Sequence, residues 1–370
     1  MSQLFTPFNI GNLTLRNRIT IAPMCQYSSV DGSASDWHMI HLGHLALSGA
    51  ALLTIEATAV SPEGRISPSD LGLYSEDNAA ALARVLAAVR AYSPIRVAVQ
   101  LAHAGRKAST RVPWEGGRQI APDEPGGWKT MAPSPLPHNT GDDAPLALDR
   151  HGMDRVRDHF VQAARRAALI GLDGVEIHAA HGYLLHEFLS PIANRRQDDY
   201  GGSLENRMRF PLEIFDAVRH AFPADRPVWV RLSATDWVVD GWDIEGAVAF
   251  SNALRQRGCA AIHVSSGGVS PLQRIDAVPG FQVPFATRIK REVGLPTIAA
   301  GLITTPDQAE AIIVNSQADA IALARAILYE PRWPWHAAAR LGGTVYAPKQ
   351  YLRSQPSQYK KLFEPDPGGR

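Results

Sequence analysis

The sequence predicts a single (β/α)8 TIM barrel, and three observations support this prediction. Eight short apolar, β-branched runs alternate with helical patterns. Both faces of these runs are apolar, as in parallel strands that helices cover. The chain has 370 residues, enough for one large barrel. The alternative, a doubly wound sheet, needs a glycine-rich turn after the first strand, where residues 22–27 read APMCQY.

The predicted strands and helices follow from these runs and from the helical spacing of alanine and leucine between them. The strands are predicted at Arg18–Ala22, Ala51–Ala57, Ile95–Leu101, Gly174–His178, Pro227–Leu232, Ala260–Ser265, Pro296–Ala300 and Asp319–Ala324. The helices are predicted at Ser75–Tyr92, His151–Leu169, Leu204–Ala221, Ile244–Arg257, Phe281–Val293 and Thr305–Val314.

Three segments lie outside the repeat. Phe8–Leu15 has Gly-Asn between apolar flanks and predicts a small N-terminal hairpin at the bottom of the barrel. Residues 103–148 follow the third strand and are rich in Pro, Gly and Trp, which predicts an ordered excursion over the catalytic face. Residues 344–370 form a C-terminal tail whose three tyrosines indicate docking, with a neighbouring subunit as the candidate surface. We therefore expect a barrel over residues 1–343 and a tail over 344–370.

Composition and charge disfavour several classes of protein. The formal net charge is +1, so no global field attracts nucleic acid or an anionic membrane. No apolar run approaches the ~20 residues that a membrane helix needs, and the N-terminus lacks the pattern of a secretory signal. Cys25 and Cys259 alone cannot form a disulfide framework or a four-thiolate metal site. We expect a cytoplasmic protein with no nucleic-acid or membrane partner.

The active site of a TIM barrel lies at the C-terminal ends of the strands, so the residues there are the candidates for chemistry. Following the strands in order, these candidates are Pro23, Met24, Cys25 and Tyr27; Ala57; Gln100; His178, His181 and Tyr183; Arg231; Gly301; and Ala324 with Arg325.

The segment 175–183 (VEIHAAHGY) is the most informative of these, because two imidazoles and a phenol follow a buried strand. Such groups can hold a carbonyl or nitro oxygen and donate a proton, which indicates an enzyme. Two alternatives stay open: structural histidines, or a metal pair with Glu176 as third ligand, as in a metal-dependent barrel hydrolase. The absence of H-x-H and HExxH patterns disfavours a metal, so we expect none.

Three other candidates suggest an anionic cofactor. Gly301 and Arg325 follow the last two strands, where barrels often bind phosphate. Arg231 lies within the fifth strand, and a buried arginine needs an anion or an electron-rich ring as partner.

Cys25 is either an inert buried thiol or a nucleophile that uses a nearby histidine as base.

Four motifs resemble those of the Old Yellow Enzymes, which are FMN-dependent ene-reductases on a TIM barrel. The motifs are residues 23–27 (PMCQY), 100–108 (QLAHAGRKA), 178–183 (HAAHGY) and 200–207 (YGGSLENR). Cys25 and the short connections resemble the thermophilic-like subgroup of bacterial xenobiotic reductases. The resemblance runs from Leu4 to about Arg353.

This resemblance implies a role for each candidate. Non-covalently bound FMN would lie across the top of the barrel, with NADPH, or alternatively NADH, as its reductant and an activated alkene as substrate. Contacts to the flavin would come from Pro23, Met24 and Cys25 near N5, Ala57 and Gln100 at the pyrimidine edge, Arg231 near N1 and O2, and Gly301, Ala324 and Arg325 at the phosphate. The substrate would be held by His178, His181 and Tyr27 and protonated by Tyr183, while Cys25 would tune the flavin.

The tail carries a further expectation from the resemblance. Residues 347–353 (APKQYLR) match a motif whose arginine reaches into the active site of a partner subunit. Tyr351 and Arg353 are therefore candidate substrate contacts across the interface of a homodimer or a tetramer of dimers. The chain departs from many relatives at Ala324, where glycine is common, and at Leu302, where some have tryptophan.

Overall fold

A computed structural model describes residues 2–364 of the chain. Eight parallel strands close into a barrel, which confirms the predicted fold class. In chain order the strands of the described residues are β1 (Phe8–Ile10), β2 (Leu13–Leu15), β3 (Ile19–Ile21), β4 (Leu52–Ala59), β5 (Arg96–Ala102), β6 (Met131–Ala132), β7 (Leu146–Ala147), β8 (Gly174–Ala179), β9 (Val228–Ser233), β10 (Ile262–Ser265), β11 (Thr297–Ala299), β12 (Ala320–Leu323), β13 (Val345–Tyr346) and β14 (Phe363–Glu364). The barrel order is β3-β4-β5-β8-β9-β10-β11-β12, so all eight predicted barrel strands are confirmed.

Helices surround the barrel. They are α1 (Asp36–Ala46), α2 (Glu76–Tyr92), α3 (Arg150–Leu169), α4 (Leu184–Leu189), α5 (Leu204–Ala221), α6 (Ile244–Gln256), α7 (Val283–Val293), α8 (Pro306–Val314), α9 (Arg325–Tyr329) and α10 (Trp333–Leu341). The six predicted helices are confirmed. Five of them begin where a Ser, Asp or Thr side chain accepts a hydrogen bond from a backbone N–H three residues on, at Ser75, Asp149, Ser203, Asp243 and Thr305.

Four helices were not predicted from the sequence. In α1 the apolar spacing is interrupted by three histidines, and its buried face includes His38 beside Leu42 and Leu45. The helices α4 and α9 have 6 and 5 residues, too few for a periodic pattern to show. The segment that contains α10 is rich in tryptophan and proline, and Pro334 stands in its first turn.

The N-terminal hairpin lies at the bottom of the barrel, as predicted. Strands β1 and β2 pair antiparallel around Gly11, whose φ of +54° suits glycine. A Cβ at Gly11 would stand 3.4 Å from Ala260 Cβ and 3.5 Å from Pro227 Cβ, just before β10 and β9 begin. The hairpin therefore covers the end of the barrel opposite to the candidate site.

The excursion over residues 103–148 is ordered and reaches the catalytic face. Its strands β6 and β7 pair with each other, and Trp128 Nε1 donates to the carbonyl of Glu63 at 2.9 Å. The ring of Trp114 meets Tyr27 edge-on with centroids 5.8 Å apart. Among the described residues, no helix is both long and apolar enough to cross a membrane.

The tail lies against the outside of the barrel, near the N-terminal ends of the strands. Strand β13 pairs with β14, and the hydroxyl of Tyr346 donates to the carbonyl of Tyr92 at the end of α2, at 3.0 Å. The ring of Trp335 on α10 contacts Phe363 at 4.7 Å and Tyr351 at 6.2 Å. Residues 365–370 of the predicted tail lie outside the described residues.

Candidate active site

The strand ends bring most of the predicted site residues to one face of the barrel. Residues 23–27 follow β3, His181 and Tyr183 follow β8, and Gly301, Ala324 and Arg325 follow β11 and β12. Ala57, Gln100, His178 and Arg231 lie within β4, β5, β8 and β9. Tyr351 and Arg353 are the exceptions: both are exposed in the tail, on the outside of the barrel.

A buried carboxylate connects four strands beneath this face. Glu176 of β8 accepts hydrogen bonds from Gln100 Nε2 at 2.6 Å and from Trp229 Nε1 at 2.7 Å, and it lies 2.8 Å from His263 Nδ1. Burial alone would raise the pKa of Glu176, but His263 and Arg231 outweigh burial and lower it. Glu176 is therefore an ionised anchor of the barrel interior, and its oxygens are engaged by these partners rather than by a metal shared with the two histidines.

Arg231 is the cation above this network. In the strand register it stands between His178 and His263, and its Nε is buried without a hydrogen-bond partner. Burial lowers its pKa, and the charge of Glu176 opposes that shift. A buried donor without a partner is costly, so this guanidinium is suited to a bound electron-rich group at the top of the barrel.

His178 is a neutral donor. Its Nδ1 accepts the backbone N–H of Ala180 at 3.2 Å, which places the ring proton on Nε2. Burial, followed by the nearby charge of Arg231, lowers the pKa of His178 well below its ordinary value. The imidazole thus offers an N–H rather than a cation.

His181 is fixed in a complementary way. Its backbone has φ of +59°, and its N–H donates to Ser233 Oγ at 3.0 Å. Its Nε2 lies 2.7 Å from Ser265 Oγ, which in turn accepts from Gln282 Nε2 at 3.4 Å. A Ser265 hydroxyl that donates to Nε2 would leave the ring proton on Nδ1. Burial lowers the pKa of His181 well below its ordinary value, so this ring is neutral too.

Tyr183 completes the group. Its ring meets His178 edge-on with centroids 4.9 Å apart, and His178 meets His181 at 5.1 Å. Lys107 Nζ lies 5.1 Å from the centroid of the Tyr183 ring and donates to the carbonyls of His181 and Gly268 at 2.8 and 3.0 Å. Burial raises the pKa of Tyr183 well above its ordinary value, so the phenol keeps its proton at neutral pH.

Cys25 and Tyr27, which follow β3, line the side of the site opposite to the two histidines and Tyr183. Burial, together with Asp70 and Glu56, raises the pKa of Cys25 well above its ordinary value. The thiol is therefore neutral, which disfavours its use as a nucleophile. Tyr27 has φ of +50°, and burial also raises its pKa. Among the described residues, the one group of three potential metal ligands is Cys25, Glu56 and Asp70, and it includes neither His178 nor His181.

After β11 and β12, small residues allow a ligand to approach the backbone closely. Gly301 has φ of +106°, and a Cβ there would stand 3.0 Å from Gln282 Cβ, so glycine is required. Ala324 directly precedes α9, and Arg325, its first residue, is exposed and free of ion pairs to the described residues. These features fit a phosphate. Gln100 donates its Nε2 to Glu176, so its carbonyl oxygen is the atom that could accept a ligand N–H. The described residues therefore fit FMN.

Several residues in contact with the site were not assigned from the sequence. His263 and Ser265 alternate with apolar residues in β10, but their partners lie 84 or more positions away, so the contacts follow only from the fold. Lys107 and Arg106 stand in a motif, but their contacts with the backbone of residues 268–269 follow only from the fold. The spacing could have placed Glu176 in the site, because it stands two residues before His178 in the same strand, and residues i and i+2 of a strand share a face.

The neutral histidines predict a pH dependence of stability. Because the folded pKa values of His178 and His181 lie below those of the unfolded chain, the unfolded state binds more protons under mild acid. The free energy of unfolding should fall between about pH 7 and pH 5, by up to about 1.4 kcal/mol per pH unit for each ring. Urea unfolding of the His178→Asn/His181→Asn protein should show a smaller loss. A control protein, His151→Asn/His220→Asn, changes two exposed histidines and should lose as much stability as wild type. If the His178→Asn/His181→Asn protein loses as much as wild type and this control, the assignment is contradicted.

Comparisons with known proteins agree with this geometry. Residues 3–342 match the model of the NADH:flavin oxidoreductase / NADH oxidase family. The chain is 43% identical over 352 residues to an NADPH dehydrogenase of Geobacillus thermodenitrificans, covering 95% of this chain and 98% of that protein. Among solved structures, morphinone reductase superposes with a TM-score of 0.77 at 28% identity, covering 100% and 98% of the two chains.

An Old Yellow Enzyme homologue from Zymomonas mobilis superposes with a TM-score of 0.76 at 26% identity, covering 97% and 99% of the two chains. These matches confirm the resemblance drawn from the four sequence motifs. The chain therefore belongs to the NADH:flavin oxidoreductase / NADH oxidase family and is an FMN-dependent oxidoreductase.

Proposed function

We propose that this enzyme uses NAD(P)H to reduce the C=C bond of activated alkenes: enones, enals, maleimides and nitroalkenes. The observation that supports this proposal most strongly is the convergence of two neutral imidazoles, His178 and His181, with the protonated phenol of Tyr183. Two N–H donors and one weak acid match a substrate that develops negative charge on oxygen and takes up a proton at carbon.

The flavin would be held along the strand ends. Arg231 would face its pyrimidine ring with the unpartnered Nε, and Gln100 and Ala57 would bind the same edge. Gly301, Ala324 and Arg325 would hold the phosphate, and Pro23, Met24 and Cys25 would line the remaining side. Bound FMN supplies the hydride chemistry, accepting a hydride from NAD(P)H and delivering one to the β-carbon of the alkene.

The side chains then have separate tasks. His178 and His181 donate hydrogen bonds to the carbonyl or nitro oxygen and stabilise the charge that develops there. Because both rings are neutral, they bind this oxygen without giving up a proton, and Tyr183 protonates the α-carbon. Tyr27 provides a second substrate contact, and Lys107 positions the backbone of His181.

A metal-dependent hydrolase is the alternative reading of the two histidines. It requires a third ligand next to them, and the nearest candidate from the sequence, Glu176, is bound to Gln100, Trp229 and His263. No specific observation favours this alternative.

The role of Tyr183 can be tested by separating the two half-reactions. In the Tyr183→Phe protein, alkene reduction should slow by roughly 100-fold or more, the usual contribution of a positioned general acid, while flavin reduction by NADPH changes little. Stopped-flow absorbance measures both steps. Tyr74→Phe, which removes a hydroxyl that donates to the carbonyl of Asp31 outside the site, is a matched control. Equal slowing of both steps would refute the proton-donor role.

We further propose that two copies of the chain complete the site. Apolar side chains lie exposed on α1 and α9: Trp37 is 48%, Ile40 64% and Tyr329 93% accessible. Arg332, after α9, donates to the carbonyl of His44 at the end of α1, and its guanidinium packs over Tyr351 of the tail. The exposed apolar surface is thus continuous with the tail, as expected of a subunit interface.

Arg353 is the residue proposed to cross this interface. It is exposed, and its guanidinium forms no hydrogen bond or ion pair with the residues that the structure describes in its own chain. The homodimer or tetramer, the preference for NADPH over NADH and a cytoplasmic location all stay predictions.

The Arg353→Ala protein should keep its secondary structure but show a raised KM for the alkene and weaker binding of phenolic ligands. Loss of one charge-assisted contact predicts an effect of about tenfold. Steady-state kinetics and phenol titrations measure it, and Arg155→Ala, an exposed change on α3, is the control. Kinetics identical to wild type would exclude the shared arginine.

A further inference from the structure

A second group of buried acids lies behind Cys25, and the proposed reaction does not use it. The thiol of Cys25 and the carboxylates of Glu56 and Asp70 bring one ligand atom each within 4.8 Å of one another. Glu56 and Asp70 are buried, and Asp70 is only 1% exposed. With the thiol protonated, two buried carboxyls this close to each other resist joint ionisation, so one of them is favoured in the neutral form.

The hydrogen bonds indicate which of the two carboxyls keeps that proton. Glu56 Oε2 accepts the backbone N–H of Gln26 at 2.9 Å, and Glu56 Oε1 lies 3.2 Å from His38 Nε2, so a nitrogen stands beside each of its oxygens. Asp70 Oδ2 accepts the N–H of Ser67 at 2.6 Å, whereas Asp70 Oδ1 is buried without a partner. Because no donor stabilises negative charge on this oxygen, Asp70 is the carboxyl that favours the neutral form.

Burial and the neighbouring carboxylate favour the neutral form of Asp70. Burial raises the pKa of Asp70 to about 7, with Glu56 adding to the shift and the N–H of Ser67 and Arg65 opposing it. Asp70 in turn raises the pKa of Cys25, Tyr27 and Tyr183. The groups that face the cluster are Cys25 and Tyr27 after β3, His38 on α1, Glu56 on β4, Arg65 in the loop of Asp70, Tyr183 after β8 and Arg231 on β9.

We propose that Asp70 is a positioning residue which holds a proton next to Cys25, and that release of this proton to solvent places a negative charge behind the thiol. While Asp70 is neutral, Glu56 beside His38 is the remaining carboxylate behind the thiol. Once Asp70 ionises, formation of a thiolate at Cys25 is opposed, and so is the gain of electrons by a flavin bound against Cys25. The second consequence rests on the proposed function, whereas the first concerns the protein alone.

The thiol provides a test that does not depend on the flavin. Alkylation of Cys25 by iodoacetamide is followed by peptide mass spectrometry from about pH 6 to about pH 9, a range that brackets the titration of Asp70. In Asp70→Asn, Cys25 should react roughly tenfold faster than in wild type above pH 7, because a neighbouring negative charge is absent. Near pH 6, where Asp70 is protonated in wild type, the two proteins should react more nearly alike. Equal rates at every pH would overturn the proposal.

The flavin provides the second readout. In the FMN-loaded protein, the midpoint potential of wild type should fall more steeply above about pH 7 than that of Asp70→Asn, since ionised Asp70 disfavours reduction. Parallel curves would refute this part. A protein that binds no FMN would contradict the proposed function and leave the alkylation test decisive for Asp70.

Two further variants serve as a control and as a substitute for Asp70→Asn. Asp36→Asn removes the same charge from an exposed position and should match wild type in both assays. If Asp70→Asn does not fold, Glu56→Gln serves instead. Loss of the neighbouring carboxylate should move the inflection of both profiles to lower pH, and an unmoved inflection would overturn the proposal.

Discussion

The buried contact between Glu176 and its three partners is the interaction on which the rest of the site depends. It joins β5, β8, β9 and β10 through Gln100, Trp229 and His263, none of which is close to another in sequence. Leaving a buried carboxylate unpaired costs several kcal/mol, so each partner is held firmly in place. The register that this contact enforces sets His178, Arg231 and His263 side by side across three strands.

The charges of the site follow from that arrangement. Glu176 balances Arg231 from below, and burial, followed by the charge of Arg231, keeps His178 and His181 neutral. Burial holds the proton on Tyr183. The face of the barrel therefore presents one cation, two N–H donors and one weak acid. On the far side, Cys25 is backed by Glu56 and Asp70, so the proposed flavin pocket lies between a cationic wall and an acidic one.

The sequence predicted the barrel because its parallel strands are buried on both faces and appear as apolar runs of β-branched residues. It also located His178, His181, Tyr183 and Arg231, since polar residues at the ends of such runs have few other reasons to be there. It did not reveal Glu176 paired with His263, or Asp70 behind Cys25, because those contacts join segments 87 and 45 positions apart through the fold. Helix α1 was missed because His38 occupies a core position where an apolar residue is expected.

The central claim is that this site couples oxidation of NAD(P)H to reduction of an activated alkene through bound FMN. The most direct measurement is the visible absorption spectrum of the purified protein under anaerobic conditions, first with NADPH and then with 2-cyclohexen-1-one. We expect a flavin spectrum that bleaches with NADPH and returns with the enone. A colourless protein that does not take up added FMN, or a bleached flavin that the enone fails to reoxidise, would contradict the account.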